Sequence, residues 1–245
     1  MQFTLFDSKQ KKKLPFSPIN EGKVTLYSCG PTVYDHAHLG HAKSALSFDL
    51  LTRTLRQLEF DVTFARNITD VDDKIIKKSI EQNISIKEIT DTYTQSYQDD
   101  MNALGVIAPD LEPKATENIA AMIVLIDTLI AKDIAYKVEN GDIYFDVAKD
   151  SEYGSLSNNT QEDRINRVDG GFKRGDTDFV LWKISDEKGV CFPSPFGTGR
   201  PGWHLECSAM INMHLADRSG AYQIDIHAGG ADLFFPHHEN EAAQT

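Results

Sequence analysis

The sequence is poor in cysteine and has no long hydrophobic run. Its 245 residues include only three cysteines, Cys29, Cys191 and Cys207, whose wide and unequal spacing is not that of a disulfide framework. No stretch approaches the roughly 18 consecutive apolar residues of a membrane-spanning helix, and the N-terminus has no apolar signal-peptide core. These absences predict a cytoplasmic protein without a membrane anchor, whose cysteines are free thiols or metal ligands.

Positive charge is also scarce. Lys and Arg number 25 against 37 Asp and Glu, which gives a formal net charge of −12. A nucleic-acid-binding surface needs clustered cations, and the only basic run, residues 11–13, is typical of a solvated loop. If RNA is a substrate, most of its contact surface therefore lies outside this sequence. The length suffices for one large or two modest domains.

A strand, a turn and a helix are expected near the N-terminus. Residues 23–27 alternate as a strand does, and residues 42–58 carry apolar side chains at helical spacing. The first turn between a strand and a helix of an open α/β sheet offers free N–H groups to phosphate. The sequence therefore predicts a nucleotide site in residues 28–41, S-C-G-P-T-V-Y-D-H-A-H-L-G-H.

Three residues at the end of this turn suit nucleotide chemistry. Gly40 has no side chain, so a base or a sugar can approach the backbone there. His38 and His41 can donate hydrogen bonds to phosphoryl oxygens as charge builds up during group transfer. We expect Gly40 to contact the nucleotide and the two histidines to be catalytic.

The next segments continue the α/β pattern. Residues 61–68 alternate as a second parallel strand, and residues 79–104 predict one helix. The tyrosines of that helix fit a core stripe or, less often, base-stacking platforms. The acidic run at residues 70–73 fits a magnesium site, or a helix start that the helix dipole favours.

Residues 113–198 do not continue this alternation. They predict a helix at 115–132, a hairpin at 135–147, a strand at 177–184 and loops at 153–175 and 185–199. We therefore expect an insertion, residues 113–198, between the two halves of a doubly wound parallel-sheet domain, residues 1–112 and 199–245. Cys191 falls within the insertion, so it is the least suitable of the three thiols for an active-site metal.

Two later segments add metal-binding side chains. Cys207 starts a predicted helix, and Pro236 suits the first turn of another, in which His237 and Glu241 stand four residues apart on one face. Such a pair can share one ion, or it can be a surface contact. Together with the thiol of the nucleotide turn, these side chains would make a four-ligand zinc site of Cys29, Cys207, His237 and Glu241.

A glycine-rich turn follows the last predicted strand, residues 223–227. Gly229 and Gly230 allow a ligand to come close, and the Asp232 carboxylate can accept hydrogen bonds from ribose hydroxyls. We expect these three residues to bind the nucleotide.

The motifs together resemble a known family. H-L-G-H at residues 38–41 is similar to the H-[IVL]-G-H signature of class I aminoacyl-tRNA synthetases. Four further strings resemble motifs of the cysteinyl-tRNA synthetases in particular: C-G-P-T-V-Y-D (29–35), N-I-T-D-V-D-D-K-I-I (67–76), P-G-W-H-L-E-C-S (201–208) and F-P-H-H-E-N-E (235–241). The resemblance implies a Rossmann-like, HUP-type catalytic domain with an inserted α+β connective-peptide domain.

Substrates and partners are implied by this resemblance. It implies activation of L-cysteine by ATP, with Mg²⁺, and transfer to the acceptor end of tRNA(Cys) by a monomer. It also implies one zinc ion on the four ligands named above. Because zinc binds a thiolate far better than an alcohol, the ion would select cysteine over serine without an editing domain.

The resemblance also assigns residues to the amino acid. It places Thr69 beside the substrate and Trp203 around its side chain, although Trp203 alone would suit a core position. It places His227 at the substrate carboxylate or behind its thiolate, and residues 229–232 at the adenosine.

One signature of the family does not occur in this sequence. The string K-M-S-K-S, whose lysines steady the phosphates of ATP, is absent, and no anticodon-binding helical domain follows. We therefore expect a fragment that binds zinc and cysteine but activates cysteine weakly. Two other interpretations stay open: the related cysteine ligase of mycothiol synthesis, which has similar motifs, and a zinc-dependent cysteine-binding module without catalysis.

Overall fold

The computed structural model describes residues 3–157, 172–186, 190–217 and 223–245. The strands are β1 (Thr4–Asp7), β2 (Lys12–Pro15), β3 (Lys23–Ser28), β4 (Asp61–Arg66), β5 (Ala135–Lys137), β6 (Ile143–Phe145), β7 (Phe179–Ile184), β8 (Gly199–Pro201) and β9 (Ile226–Ala228). The helices are α1 (Leu39–Gln57), α2 (Asp73–Gln82), α3 (Ile86–Ala103), α4 (Ile119–Ala131), α5 (Leu205–His214) and α6 (Glu239–Ala243). Short 3₁₀ turns lie at Ala115–Asn118, Val147–Lys149 and Ala231–Leu233.

A parallel sheet in the order β4-β3-β9 carries the predicted site. β3 and β4 pair along their whole length, from Lys23 opposite Asp61 to Ser28 opposite Arg66, and β9 pairs with the other edge of β3. Because the strands run in the same direction, the turns that follow them meet at one edge of the sheet.

Helices cover both faces of this sheet. Strand alternation turns Leu26 and Phe64 towards α1, where they pack in one apolar cluster. On the other face, Tyr27 and Ala65 pack against Met210 of α5. A parallel sheet between two helical layers is the doubly wound arrangement predicted from the sequence.

An antiparallel sheet in the order β5-β6-β7-β8 occupies the middle of the chain. Two of its large buried side chains, Trp182 and Phe145, share a core with Met122 and Ile126 of α4. The fourth strand, β8, lies just beyond residue 198, where the sequence predicts the insertion to end. The division of the chain into two domains stays a prediction.

The helix predicted over residues 79–104 is wrong, because the structure has two helices there. Asn83 ends α2 in the left-handed conformation, with φ of 53°. Ser85 then caps α3 by accepting a hydrogen bond from the backbone N–H of Glu88 at 3.1 Å. Asparagine tolerates the left-handed region and serine is a favoured N-cap, so local turn chemistry overrides the apolar periodicity.

The prediction that Pro236 opens a helix also needs correction. Phe235 has extended backbone, with φ −139° and ψ 134°, and it interrupts the helical turn at Phe234–His238. The regular helix α6 begins only at Glu239. The four-residue spacing of His237 and Glu241 still brings their side chains together, since the residues between them are helical in backbone.

The two predicted loops lie partly outside the described residues, namely 158–171 of the first and 187–189 of the second. The acidic run after β4 has structural partners. Asp72 caps α2 by accepting the Lys74 N–H at 2.8 Å. Asp70 accepts the backbone N–H and the hydroxyl of Thr116 at 2.9 and 2.6 Å. These contacts favour the helix-start interpretation over a magnesium site.

The close approach of the Gly30 and Asn67 backbones, just beyond the ends of β3 and β4, allows a test of the fold. A Cβ added to Gly30 would lie 1.7 Å from the Asn67 carbonyl oxygen. We expect Gly30→Ala to lower the free energy of unfolding by about 3 kcal/mol, because the two backbone segments must separate. Gly22→Ala is the matched control: its φ is +74° but nothing lies within 4 Å, so about 1 kcal/mol is expected. Urea denaturation measures both losses, and equal losses would contradict the packing described.

Candidate active site and metal centre

A cavity of about 370 Å³ lies at the carboxyl edge of the parallel sheet. Its walls come from the turn after β3, the segment after β4, the start of α5 and the turn after β9. Ten predicted site residues line it: Cys29, His38, Gly40, His41, Thr69, Trp203, Cys207, Gly230, Asp232 and His237. The other three, Gly229, His227 and Glu241, do not line the cavity. The topology thus gathers residues separated by more than 200 positions in the chain.

The four predicted metal ligands come together at the cavity, which three of them line. One donor atom from each of Cys29, Cys207, His237 and Glu241 lies within 4.8 Å of the others. The Cys29 Sγ is 3.6 Å from Glu241 Oε1, and the Cys207 Sγ is 3.7 Å from His237 Nε2. His237 Nε2 is 3.0 Å from Glu241 Oε1. Ligands around a tetrahedral zinc ion are separated by about 3.3 to 3.8 Å, so these spacings fit one ion with little movement.

A second group in the described part of the chain overlaps the first. It consists of Cys29, His227, His238 and Glu241, again within 4.8 Å of one another. It offers one thiol where the first group offers two, and His227 is exposed whereas Cys207 is buried. Zinc prefers sulfur and nitrogen donors in a closed shell, so the first group is the better zinc site. Neither group includes Cys191.

The charges of these four side chains shift one another's pKa values. Burial and a hydrogen bond with Cys207 raise the pKa of Cys29, while the same hydrogen bond lowers the pKa of Cys207 to about 7 despite burial. Burial disfavours a charge on His237, but the Glu241 carboxylate outweighs it and raises the pKa of His237 to about 10. Burial likewise opposes the charge of Glu241, but the His227 and His237 charges keep its pKa well below 4.5. A cation bound between these side chains would displace the protons of the two thiols and of His237.

The histidines of H-L-G-H close the N-terminus of α1. His38 Nδ1 accepts the Gly40 N–H at 3.0 Å, and His41 Nδ1 accepts the His38 N–H at 3.1 Å. Since each Nδ1 is an acceptor, each neutral ring carries its proton on Nε2. A Cβ on Gly40 would lie 2.8 Å from the His38 ring, so glycine is needed for this cap. Burial, followed by the neighbouring His38, lowers the pKa of His41.

The glycine-rich turn after β9 is packed as tightly as the cap at Gly40. A Cβ on Gly229 would lie 2.5 Å from the His238 ring, and one on Gly230 would lie 2.3 Å from Asp232 Oδ1. The glycines therefore serve the turn itself, and Gly230 and Asp232 face the cavity.

The three residues predicted to contact an amino-acid substrate differ in their surroundings. Thr69 is buried and lines the cavity. Trp203 is 40% exposed and stacks on the His237 ring with centroids 4.5 Å apart, so it is not a core aromatic. His227 Nε2 lies 3.0 Å from Glu241 Oε2 and 3.4 Å from the Cys29 Sγ. His227 therefore contacts two of the predicted metal ligands.

Sequence reasoning missed three neighbours of the site. His204 Nδ1 lies 3.0 Å from His237 Nδ1, and His238 belongs to the second group. Asn67 contacts the turn after β3, Thr69 and Cys207. Each stands beside a chosen residue in one of the quoted strings, and that adjacency was the only signal available.

Comparison with known proteins bears on what this site does. A sequence model of the family described as "tRNA synthetases class I (C) catalytic domain" matches residues 15–245. The chain belongs to this family. The predicted resemblance is therefore confirmed.

Curated relatives of this class I synthetase chain bear a consistent name. The cysteine–tRNA ligase of Sulfurimonas denitrificans is 56% identical over 244 residues, and that of Helicobacter pylori strain G27 is 56% identical over 245 residues. Both alignments cover 98% of this chain and 52% of the relative. The chain thus spans about half the length of the curated relatives it matches.

A solved class I synthetase shares the fold. The methionyl-tRNA synthetase of Mycobacterium tuberculosis, solved in complex with methionyl-adenylate, superposes with a TM-score of 0.66 over 91% of this chain and 54% of that one. Sequence identity is 14%, so the likeness concerns the fold alone, and it confirms the predicted Rossmann-like architecture. Across the described residues, no helix has both the length and the apolar character needed to cross a membrane.

The buried histidines make the metal-free protein sensitive to acid. Burial lowers the pKa of His204 to about 3 and that of His238 to about 4. The unfolded chain binds protons at both near pH 6.5 and the folded chain does not, so stability is lost as the pH falls from 6.5 to 4. We expect the loss to approach about 1.4 kcal/mol per pH unit for each histidine.

Urea denaturation in the presence of a chelator at pH 6, 5.5 and 5 measures this slope, because above about pH 6.5 the raised pKa of His237 makes the opposite contribution. His204→Gln removes one of the two titrating groups, so its slope should be shallower. A stability that is flat between pH 6 and pH 5 would show that the two imidazoles are not held neutral by burial.

Proposed function

We propose that this chain is the catalytic portion of a cysteine–tRNA ligase. It would bind L-cysteine and ATP with Mg²⁺, join them as cysteinyl-adenylate, and pass the cysteinyl group to the acceptor end of tRNA(Cys). Family membership and the names of the relatives support aminoacylation. The choice of cysteine rests on one observation, the convergence of two thiols, an imidazole and a carboxylate beside the cavity.

The donor set fits a zinc ion held by Cys29, Cys207, His237 and Glu241. Two sulfurs, one nitrogen and one oxygen within 4.8 Å of one another are all donor types that zinc binds. A bound zinc ion would take up the substrate thiolate in preference to a serine hydroxyl, where pocket shape alone gives about 1–3 kcal/mol. His227 supports the set from behind, through Cys29 and Glu241, which favours that role over binding of the substrate carboxylate.

His38 and His41 would act on the phosphate. When the cysteine carboxylate attacks the α-phosphorus and pyrophosphate leaves, negative charge grows on the phosphoryl oxygens. The Nε2–H groups of both rings can donate to those oxygens, while Nδ1 keeps each ring in place on the helix cap. Prior placement of both donors means that little reorganisation is needed in the transition state.

The remaining assignments follow the cavity wall. Thr69 and Trp203 would contact the amino acid, and Gly229, Gly230 and Asp232 the adenosine, with the carboxylate accepting ribose hydroxyls. We further propose that residues 1–112 and 199–245 form the catalytic domain, that residues 113–198 are the inserted connective-peptide domain, and that the protein is a monomer.

Metal content tests the ligand assignment. The purified chain is expected to bind one zinc ion, and Cys207→Ser to weaken zinc binding by at least about 100-fold, because a serine oxygen is a poor zinc ligand. Cys191→Ser is the matched control and should keep full zinc content, since Cys191 lies outside the cluster. Elemental analysis after competition with a chelator measures both. Equal zinc affinity in the two variants would exclude Cys207 as a ligand.

Binding selectivity tests the substrate. Isothermal titration of the zinc-loaded chain is expected to show cysteine binding at least about 100-fold tighter than serine, a discrimination beyond pocket shape. The preference should disappear when zinc is removed. If cysteine and serine bind alike with zinc present, cysteine is not the substrate.

The nucleotide assignment has a separate test. Asp232→Asn is expected to weaken binding of a non-hydrolysable cysteinyl-adenylate analogue by about tenfold, because the amide is a weaker acceptor for ribose hydroxyls than the carboxylate. Cysteine affinity should not change. Glu81→Gln, at an exposed position of α2, serves as the control. An unchanged affinity for the analogue would remove Asp232 from the nucleotide site.

A further inference from the structure

Asn67 is a fully buried polar residue at the end of β4, between the turn after β3 and the cavity. Its Oδ1 accepts the Gly30 N–H at 2.8 Å, and its Nδ2 donates to Thr69 Oγ1 at 3.0 Å. The Cys207 Sγ lies 3.8 Å from the same Oδ1. One amide therefore contacts the turn that carries Cys29, the second thiol and the hydroxyl at the cavity wall.

The orientation of this amide is fixed by its partners. A backbone N–H can only donate, so the atom facing Gly30 must be the oxygen. The NH₂ group must then face Thr69. The two backbone segments are also in close contact at this point, since a Cβ added to Gly30 would lie 1.7 Å from the Asn67 carbonyl oxygen.

This orientation determines what the Thr69 hydroxyl can do. An NH₂ group can only donate, so the Thr69 oxygen accepts and its hydrogen must point to another acceptor. Within the described part of the chain, no acceptor for that hydrogen is present. The Thr69 backbone is also held on both sides, by the Pro31 carbonyl at 3.1 Å and the Val33 N–H at 3.1 Å. Thr69 lines the cavity, so a ligand there can supply the acceptor.

We propose that Asn67 is a positioning residue that makes the Thr69 hydroxyl a hydrogen-bond donor to the bound amino acid. The Thr69 hydrogen is then offered to an acceptor of the ligand, a carboxylate oxygen or the sulfur. This inference rests on the proposed function only in naming cysteine as the ligand. It adds a specificity determinant to the four metal ligands.

The test replaces the amide donor without changing its shape. Asn67→Asp keeps an acceptor for Gly30 but presents a second acceptor to Thr69, whose hydroxyl must then turn away from the ligand. In the zinc-loaded chain, isothermal titration is expected to show cysteine binding weakened by at least about tenfold. In a Thr69→Val background, the same substitution should weaken binding by less than about threefold, since no hydroxyl remains to be turned.

Thr69→Ser is the conservative control for this cycle. It keeps the hydroxyl, so Asn67→Asp should again weaken binding about tenfold in that background. A general effect of the added negative charge would appear equally in all three backgrounds. The proposal would be overturned if Asn67→Asp weakened cysteine binding by the same factor whether residue 69 is Thr, Ser or Val. It would also be overturned if Asn67→Asp left the cysteine affinity unchanged.

A measurement without ligand separates this inference from the proposed function. In the metal-free protein, the hydrogen-bonded Asn67 side-chain amide proton should exchange slowly with solvent in ¹⁵N–¹H NMR spectra. Thr69→Val removes its acceptor, so the proton should shift upfield and exchange at least about tenfold faster. An unchanged signal overturns the proposal whether or not cysteine binds. Failure of the native chain to bind cysteine overturns the proposed function alone.

Discussion

The site depends on burying two thiols, an imidazole and a carboxylate in contact with one another. Isolated buried charges cost several kcal/mol each, so such a group is stable only if its members neutralise one another. Glu241 lies between two histidines, with one oxygen 3.0 Å from His237 and the other 3.0 Å from His227. The Cys29 Sγ lies 3.6 Å from Glu241 Oε1, and the Cys207 Sγ lies 3.7 Å from His237 Nε2. A divalent cation bound at their centre would satisfy all four donors at once.

The fold brings these donors together by close approach of parallel strands. β3 and β9 are neighbours, so the turns after them converge, and α5 packs across the same sheet with Cys207 at its buried face. Glycine at position 30 lets the turn after β3 lie against Asn67. The same contact that builds the turn also orients the Asn67 amide, so fold and proposed specificity share one hydrogen-bond network.

Much of this arrangement could be predicted because the sequence signals are local. Strand alternation, the glycine-rich turns and the four-residue spacing of His237 and Glu241 are each contained in a few residues. The break at Asn83 was missed because apolar periodicity continued across a residue able to adopt the left-handed conformation. The roles of His204, His238 and Asn67 depend on contacts between segments up to 140 residues apart, and no local pattern encodes those distances.

The proposed function requires four side chains to hold one zinc ion that recognises sulfur. X-ray absorption spectroscopy at the zinc edge of the loaded protein counts the sulfur ligands. Two sulfurs and two lighter ligands are expected without substrate, and one additional sulfur when cysteine is added. A single sulfur would point to the group containing His227 and His238, and a sulfur count that cysteine leaves unchanged would rule out recognition of the thiolate by zinc.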